Sequence, residues 1–129
     1  KEIGRVMRAK GSNGASLGGL AGIGDLFMTA SSELSRNFTV GYRLGKGEDY
    51  FKEIKPSMKA VAEGVPTAKS LHLIAMKLGL KHKLPLANAV YKLIYEGGKI
   101  EELVDEIILK PLSDELRGFP LPQQEQSKL

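Results

Sequence analysis

The sequence predicts an all-α domain, and three observations support this prediction. Apolar residues recur three and four positions apart, which is the spacing of one face of a helix. Glycine and proline separate these segments, as they do at helix ends and in the turns between helices. No segment alternates apolar and polar residues in the manner of a half-buried strand. A chain of 129 residues is predicted to form one domain with a buried core.

The first half of the chain contains three predicted helices and a short fourth. An amphipathic helix is predicted at 1–10, ending at Gly11, and a second helix at 18–30. Because the helix at 18–30 is apolar almost all round, we expect it to lie at the centre of the domain. A third helix is predicted at 35–44 and a short one at 48–54.

The second half contains longer helices at 66–78, 85–95 and 100–110, whereas 58–63 is ambiguous. Two of these helices open with a proline in the first turn, where a helix accepts it. The segment 112–129 has two prolines and a polar run, which indicates a flexible tail. The residues expected to form the buried faces of the three helices are Ala68, Leu71, Ala75, Leu78, Leu86, Val90, Leu93, Ile94, Leu103, Ile107 and Ile108.

The composition excludes several classes of protein. Hydrophobic residues make up 42% of the chain and charged residues 26%, which is typical of a globular domain and not of a disordered or membrane-spanning chain. No apolar run spans a bilayer and no signal peptide opens the sequence, so we expect no membrane insertion and a cytoplasmic location. The lack of cysteine excludes disulfides. His72 and His82 are too few and too far apart to indicate a metal site.

The net charge of +4 favours an anionic small molecule over nucleic acid as the partner. Most lysines are scattered along the chain, and the densest basic group is Lys77, Lys81, His82 and Lys83. No aromatic residue alternates with these side chains, as a surface that stacks bases would require. We therefore expect no nucleic-acid binding, and a phosphate-bearing substrate needs only one cation and a helix end.

Polar residues cluster unusually between positions 25 and 37. In a helix at 18–30, Asp25 and Thr29 lie one turn apart on the same face. Ser35 has the character of a helix cap, so Arg36 and Asn37 occupy a first turn with free backbone N–H groups and the positive end of the dipole. A fixed guanidinium beside such a helix start predicts an anion site.

Each of these residues also has an ordinary structural explanation. In that explanation Ser35 is simply a helix cap, and Arg36 simply pairs with Asp25. The glycines between positions 19 and 24 simply let two helices approach closely. Taken singly, the residues favour these ordinary explanations over a binding site, since short motif matches often arise without the function.

Four motifs in a fixed order resemble a known family. The motifs are GLAGIGDLFMT at 19–29, LSRNF at 34–38 with GYRLGKG at 41–47, VAEGVPTAK at 61–69, and LPLANAVY at 84–91. In this order and spacing the chain resembles, over about 1–111, the C-terminal domain of bacterial NAD(P)-dependent glycerol-3-phosphate dehydrogenase.

The resemblance implies a domain organisation and an activity. It implies an all-α, multi-helix C-terminal domain like those of glycerol-3-phosphate and 6-phosphogluconate dehydrogenases, with 1–111 as the substrate-binding domain. Such a domain works with a separate N-terminal Rossmann domain, absent from this chain, that binds most of the NAD or NADP. The reaction implied is reversible hydride transfer between dihydroxyacetone phosphate and sn-glycerol 3-phosphate. Full-length members are commonly homodimers.

The resemblance also assigns roles to residues of this chain. Asp25, Thr29, Ser35, Arg36 and Asn37 match the substrate-binding residues of the family. The cofactor-contacting positions are matched by Arg36, Val61 and Glu63. The family's catalytic lysine lies upstream, and no lysine here matches it, so the chain alone is predicted to be inactive.

Two other functions remain open at this point. One is a related dehydrogenase that acts on another small hydroxy acid, although the Ser-Arg-Asn set favours a phosphate. The other is a free-standing helical interaction module in which the apolar helix at 18–30 binds a partner.

Overall fold

A computed structural model describes residues 1–12 and 15–108, and these residues form seven α-helices and no strand. The all-α prediction is therefore confirmed. None of the helices in these ranges has the length and apolarity needed to cross a membrane. The predicted tail at 112–129, the proposed domain end at 111 and the last residues of the predicted helix at 100–110 lie outside the described residues.

The first half of the described chain is built from short helices. Helix α1 spans Glu2–Ala9, and a 3₁₀ turn at Ala15–Gly18 precedes a π-helical turn at Leu20–Gly24. That turn runs directly into helix α2, Asp25–Ser31, and helix α3 follows at Arg36–Gly45. The predicted single helix at 18–30 is thus divided between three helical geometries.

The second half contains the longest helix. A π-helical turn at Tyr50–Ile54 continues into α4, Lys55–Ser57, so the helix passes through Pro56 instead of stopping before it. Helix α5 spans Gly64–Lys77 and begins two residues earlier than predicted. The remaining elements are a 3₁₀ turn at Lys81–Lys83, α6 at Pro85–Tyr91 with a π-helical extension at Lys92–Glu96, and α7 at Ile100–Ile108.

The core lies where α3, α5 and the two π-helical segments meet. Ile54 is completely buried, and it packs in a cluster with Val40 and Leu44 of α3 and Val65 of α5. The Tyr95 hydroxyl donates a hydrogen bond to the backbone carbonyl of Val65 over 3.0 Å. The π-helical extension of α6 is therefore tied to the start of α5.

Helix α1 is attached to the start of α6 through side chains. The Glu2 carboxylate accepts hydrogen bonds from the backbone N–H groups of Leu86, at 2.7 Å, and Ala87, at 2.9 Å. Arg5 donates to the backbone carbonyl of Lys83 over 2.6 Å. Glu2 thus caps α6 from another helix, since free N–H groups at a helix start need acceptors.

The prediction that the helix at 18–30 is central is wrong. No described residue of α2 is buried, and Phe27 and Met28 are each 69% exposed. An apolar helix buries its surface only where another element covers it, and no described element covers this face of α2. The same reason applies to Leu86 and Val90, which were predicted to face the core but are exposed.

Gly22 allows the π-helical turn to pack against the preceding 3₁₀ turn. A methyl group added to Gly22 would lie 2.3 Å from the backbone oxygen of Leu17. The same addition at Gly18 meets nothing within 4 Å. Gly22 therefore allows a close approach of two backbone segments. This is one of the ordinary explanations given above for the glycine-rich motif.

Candidate functional site

An open cleft of about 430 Å³ lies between α2, α3 and the residue before α5. Its lining residues come from the end of α2, from the turn at 32–35, from the start of α3 and from the residue before α5. The residues that line the cleft are Met28, Thr29, Ser32, Leu34, Ser35, Arg36, Asn37 and Glu63. Five of the seven residues predicted for the site are therefore brought together.

Ser35 starts the helix that presents the polar wall. Its backbone has an extended conformation, and its hydroxyl oxygen accepts a hydrogen bond from the backbone N–H of Phe38 over 3.4 Å. The Thr39 hydroxyl donates to the Ser35 carbonyl over 3.2 Å. Ser35 is therefore the cap that the sequence predicted, and Arg36 and Asn37 are the first helical residues. Their backbone N–H groups have no acceptor within the helix.

Asn37 joins the start of α3 to the start of α5. Its side-chain oxygen Oδ1 accepts a hydrogen bond from the backbone N–H of Gly64 over 2.8 Å. Two helix N-termini therefore converge beside the cleft, and each carries a partial positive charge from its dipole. This second helix end adds to the positive potential that the sequence predicted from α3 alone.

Arg36 is the free cation of the cleft. It is exposed, and within the described residues it forms no ion pair with Asp25 or with any other carboxylate. The ion pairs found in this part of the chain are Arg43 with Glu48 and Lys52 with Asp49. A guanidinium without a protein partner next to free N–H groups is suited to an anionic ligand.

Glu63 is a carboxylate at the edge of this positive region. It precedes α5, and its backbone carbonyl accepts a hydrogen bond from the Thr67 hydroxyl over 2.7 Å. Its side chain is exposed and does not cap α5. The cleft can therefore receive a ligand with an anionic end near Arg36 and hydrogen-bond donors near Glu63.

Two predicted site residues do not line the cleft. Asp25 begins α2 and is exposed, one turn before Thr29, which does line it. Val61 is 55% exposed and lies two residues before Glu63. Both side chains are close to the cleft along the chain, and both face open space in the described part of the molecule.

The sequence analysis missed four residues of the site. Met28, Ser32 and Leu34 line the cleft, and Gly64 holds Asn37. The glycine was visible in the VAEG motif, but nothing in a single sequence shows which side chain it approaches. The turn residue Ser32 accepts a hydrogen bond from the Leu34 N–H over 3.3 Å, a local contact that polar turn residues commonly make.

Other ionisable groups of the described residues have structural roles. The Arg43 guanidinium donates hydrogen bonds to Glu48, one of them over 2.7 Å, and lowers the pKa of that carboxyl. Burial raises the pKa of the Tyr95 hydroxyl, and the nearby hydroxyls of Tyr50 and Tyr91 raise it further. No group of three histidine, aspartate or glutamate side chains able to hold a metal ion is present in the described ranges.

Comparison with known proteins decides the family. The sequence model of the family described as "NAD-dependent glycerol-3-phosphate dehydrogenase C-terminus" matches residues 1–105. The chain belongs to this family. Its resemblance to that C-terminal domain, and the family's dehydrogenase class, are therefore confirmed.

Relatives from distant organisms agree with this family. The chain is 44% identical over 115 residues to a glycerol-3-phosphate dehydrogenase, NAD(P)+, of Syntrophobacter fumaroxidans, covering 89% of the chain and 33% of the relative. It is 45% identical over 119 residues to a glycosomal glycerol-3-phosphate dehydrogenase, NAD(+), of Leishmania mexicana, covering 92% and 31%. A relative in Myxococcus xanthus is 42% identical over 117 residues, covering 91% and 34%. The chain spans about a third of the length of these relatives.

Proposed function

We propose that this chain is the substrate-binding domain of an NAD(P)-dependent glycerol-3-phosphate dehydrogenase that interconverts dihydroxyacetone phosphate and sn-glycerol 3-phosphate. The observation that carries the proposal is the cleft. In a domain of this family, five predicted site residues lie together where two helix N-termini converge. A phosphate monoester is the ligand whose charge and acceptor oxygens suit that arrangement.

The phosphate end of the substrate is proposed to bind at the start of α3. Arg36 supplies a charge-assisted hydrogen bond, and the first backbone N–H groups of α3 supply neutral ones. Thr29, which also lines the cleft, is proposed to donate from its hydroxyl to a carbonyl or hydroxyl oxygen of the substrate. Asp25 is proposed to orient the family's upstream catalytic lysine, as the resemblance implies.

The cofactor is proposed to be held mainly by a separate N-terminal domain. NAD or NADP, when bound, supplies or accepts the hydride. The described residues form helices and the turns between them, and they hold no strand-turn-helix cradle for a dinucleotide. Arg36 and the exposed Glu63 fit a secondary contact, because a carboxylate accepts hydrogen bonds from cofactor hydroxyls or amides.

The N-terminal domain is proposed to pack on an apolar ridge, called the α2 ridge, that is formed by the end of the π-helical turn at Leu20–Gly24, by α2 and by the turn that follows it. This ridge consists of Ile23, Leu26, Phe27, Met28 and Leu34, and all five side chains are at least half exposed. Exposed apolar patches of this kind mark interaction surfaces. Because Met28 and Leu34 also line the cleft, a domain packed here would bring its cofactor to the substrate.

Steady-state kinetics of the full-length protein test the proposed activity. Arg36→Ala is expected to reduce kcat/KM for dihydroxyacetone phosphate about 100-fold, because a charged hydrogen bond to the phosphate of the substrate is lost. Arg8→Ala, an exposed arginine of α1, is the matched control and should leave kcat/KM unchanged. A full-length protein with both domains and no dehydrogenase activity would contradict the proposal.

Substrate preference tests the first alternative function, and partner binding tests the second. A dehydrogenase for unphosphorylated hydroxy acids would prefer the unphosphorylated three-carbon substrate. An interaction module would retain partner binding in Asp25→Ala and Arg36→Ala. The proposal further expects no turnover from the 129-residue chain alone and a homodimer for the full-length enzyme, which sedimentation measures.

We make a separate proposal about the compartment in which the protein works. The two candidates are the cytoplasm, as predicted above, and an organelle of the peroxisome class. Relatives from Leishmania mexicana and Trypanosoma brucei carry the word glycosomal in their names. The last three residues of the present sequence are Ser127, Lys128 and Leu129. At a free C-terminus, Ser-Lys-Leu is an address read by a peroxisomal import receptor. Where Leu129 ends the natural protein, we therefore favour import into such an organelle.

The chemistry of this tripeptide defines the test. Receptors capture a terminal carboxylate with backbone N–H groups, so the signal acts only when Leu129 is the last residue. The chain, tagged with a fluorescent protein at its N-terminus, is expected to enter peroxisomes, and so is Lys128→Arg. Lys128→Glu and the addition of one residue after Leu129 should leave the protein diffuse. Diffuse wild-type protein, or a natural protein whose C-terminal peptide continues beyond Leu129, would favour the cytoplasm.

A further inference from the structure

The hydrogen bond between α3 and α5 fixes which atoms of the Asn37 amide are available to a ligand. The Gly64 backbone N–H can only donate, so the atom 2.8 Å from it must be the amide oxygen. The NH₂ group is the opposite corner of the same planar amide. Within the described residues this NH₂ group makes no hydrogen bond. Asn37, which lines the cleft, therefore has two donors left for a ligand.

Position 64 favours glycine because Asn37 leaves little room for a side chain there, and not because the backbone needs a positive φ. The described glycines with positive φ are Gly11, Gly47, Gly79 and Gly97, and Gly64 is not among them. A methyl group added to Gly64 would lie 2.9 Å from Oδ1 of Asn37 and 3.1 Å from its Cγ. A side chain at position 64 would thus displace the Asn37 amide from the position it holds.

The Glu63 carboxylate is not used to cap α5. A helix start needs acceptors for its first N–H groups, and the residue before the helix usually supplies one. Glu63 precedes α5 but makes no capping bond, because the Val65 N–H already donates to the Ala62 carbonyl over 3.0 Å and Pro66 has no N–H to donate. The Gly64 N–H donates to Asn37 instead. The cap of α5 therefore comes from α3, and the Glu63 carboxylate remains on the cleft.

We propose that Gly64 is a positioning residue that sets the specificity of the cleft for an acceptor-rich anion. By holding the Asn37 oxygen, Gly64 turns the amide NH₂ group toward the ligand. The side chains and N–H groups at the start of α3 then present donors to one end of the substrate. This inference rests on the proposed function for the identity of the anion, which is the phosphate of dihydroxyacetone phosphate.

Kinetics of the full-length enzyme test the proposal with a double-mutant cycle. Gly64→Ala is expected to raise KM for dihydroxyacetone phosphate about tenfold, with a much smaller change in kcat, because phosphate binding is weakened. Asn37→Ser removes the amide, so adding Gly64→Ala to it should raise KM less than twofold further. Gly41→Ala, in α3 with nothing within 4 Å of the added methyl, is the matched control and should leave KM unchanged.

A second variant keeps the proposal testable if Gly64→Ala does not fold. Asn37→Asp preserves the shape and the acceptor for Gly64 but replaces the NH₂ donors with a carboxylate oxygen. It is expected to raise KM for the phosphorylated substrate about 10- to 100-fold and to weaken inorganic phosphate as a competitive inhibitor by a similar factor. Equal phosphate inhibition of wild type and Asn37→Asp, or additive effects in the cycle, would overturn the proposal.

A wrong substrate assignment can be distinguished from a wrong role for Gly64 and Asn37. If the wild-type protein does not reduce dihydroxyacetone phosphate, the substrate assignment is wrong. Calorimetry of inorganic phosphate with the 129-residue chain then tests the donor set directly. Binding at least about tenfold weaker for Asn37→Asp supports the role of Gly64 and Asn37, whereas equal binding, or none in either protein, overturns it.

Discussion

Two apolar regions of this domain have opposite relations to solvent. Ile54 has no exposed surface and is enclosed by α3, α5 and the π-helical segments, whereas Phe27 of the α2 ridge is 69% exposed. Both regions carry large apolar side chains, so composition alone does not decide burial. What differs is the cover that the described chain supplies. The uncovered region is also the one that borders the cleft, since Met28 and Leu34 belong to both.

The largest expected effect contrasts one residue from each region. Ile54→Ala should lower the free energy of unfolding by about 2–5 kcal/mol, because it removes buried methyl groups and leaves a cavity. Phe27→Ala should change it by less than about 0.5 kcal/mol in the chain alone, because the ring has little packing to lose. Urea denaturation of both variants measures the difference. Equal losses would mean that the α2 ridge is covered in solution.

A substitution at Gly22 tests the close contact between the π-helical turn that precedes α2 and the backbone of Leu17. Gly22→Ala should destabilise the domain by about 1–3 kcal/mol, because the added methyl meets the backbone of Leu17, which cannot turn aside as a side chain can. Gly18→Ala is the matched control and should be near neutral, since nothing lies within 4 Å of its added methyl. A neutral result at Gly22 would show that the turn moves freely.

Tyr95 tests whether the edge of the core depends on its polar contact. Tyr95→Phe should cost about 1 kcal/mol near neutral pH through loss of the hydrogen bond to Val65. Because burial raises the pKa of Tyr95, the wild type loses stability as pH rises from the ordinary value of 10.0 through the raised pKa. The phenylalanine ring of the variant cannot ionise, so denaturation measurements above pH 10 should show the two proteins converging in stability. A gap that stays constant in alkali would contradict this account.

The smallest expected effect is at the solvated ion pair of Arg43 and Glu48. The hydrogen bond from Arg43 lowers the pKa of Glu48 below its ordinary value of 4.5. The pair therefore stabilises the fold above pH 4.5, and that contribution disappears as pH falls through the lowered pKa. Glu48→Gln should be slightly less stable than wild type near neutral pH, and equal to it at low pH. A difference that persists in acid would rule out the ion pair as its source.

Most of the fold was predictable because helix boundaries follow local chemistry. Ser35, Gly11 and Gly97 mark helix ends through capping or left-handed backbone, and these signals lie in the residues themselves. The exposure of α2 was not predictable, because an apolar sequence does not show which elements will cover it. A helix was predicted through Tyr95, but its π-helical geometry at Lys92–Glu96 was not, since shifted hydrogen bonds have no signature in the apolar pattern.

The candidate site was predictable only in part, for a related reason. The motifs named the side chains that could bind a phosphorylated substrate, and the cleft brings Thr29, Arg36 and Glu63 together. The contact between Asn37 and Gly64 joins residues that are 27 positions apart. A single sequence contains the two residues but not their proximity, so the second helix end at the cleft remained hidden.

That long-range contact has a consequence for the order in which the domain is assembled. Individual helices form quickly from neighbouring residues, whereas a contact across 27 residues requires a loop to close first. A compact state that keeps its helices but has lost fixed tertiary packing would therefore retain its circular dichroism in the far ultraviolet and lose the cleft. Anion binding would report native packing in this domain, whereas helix content would not.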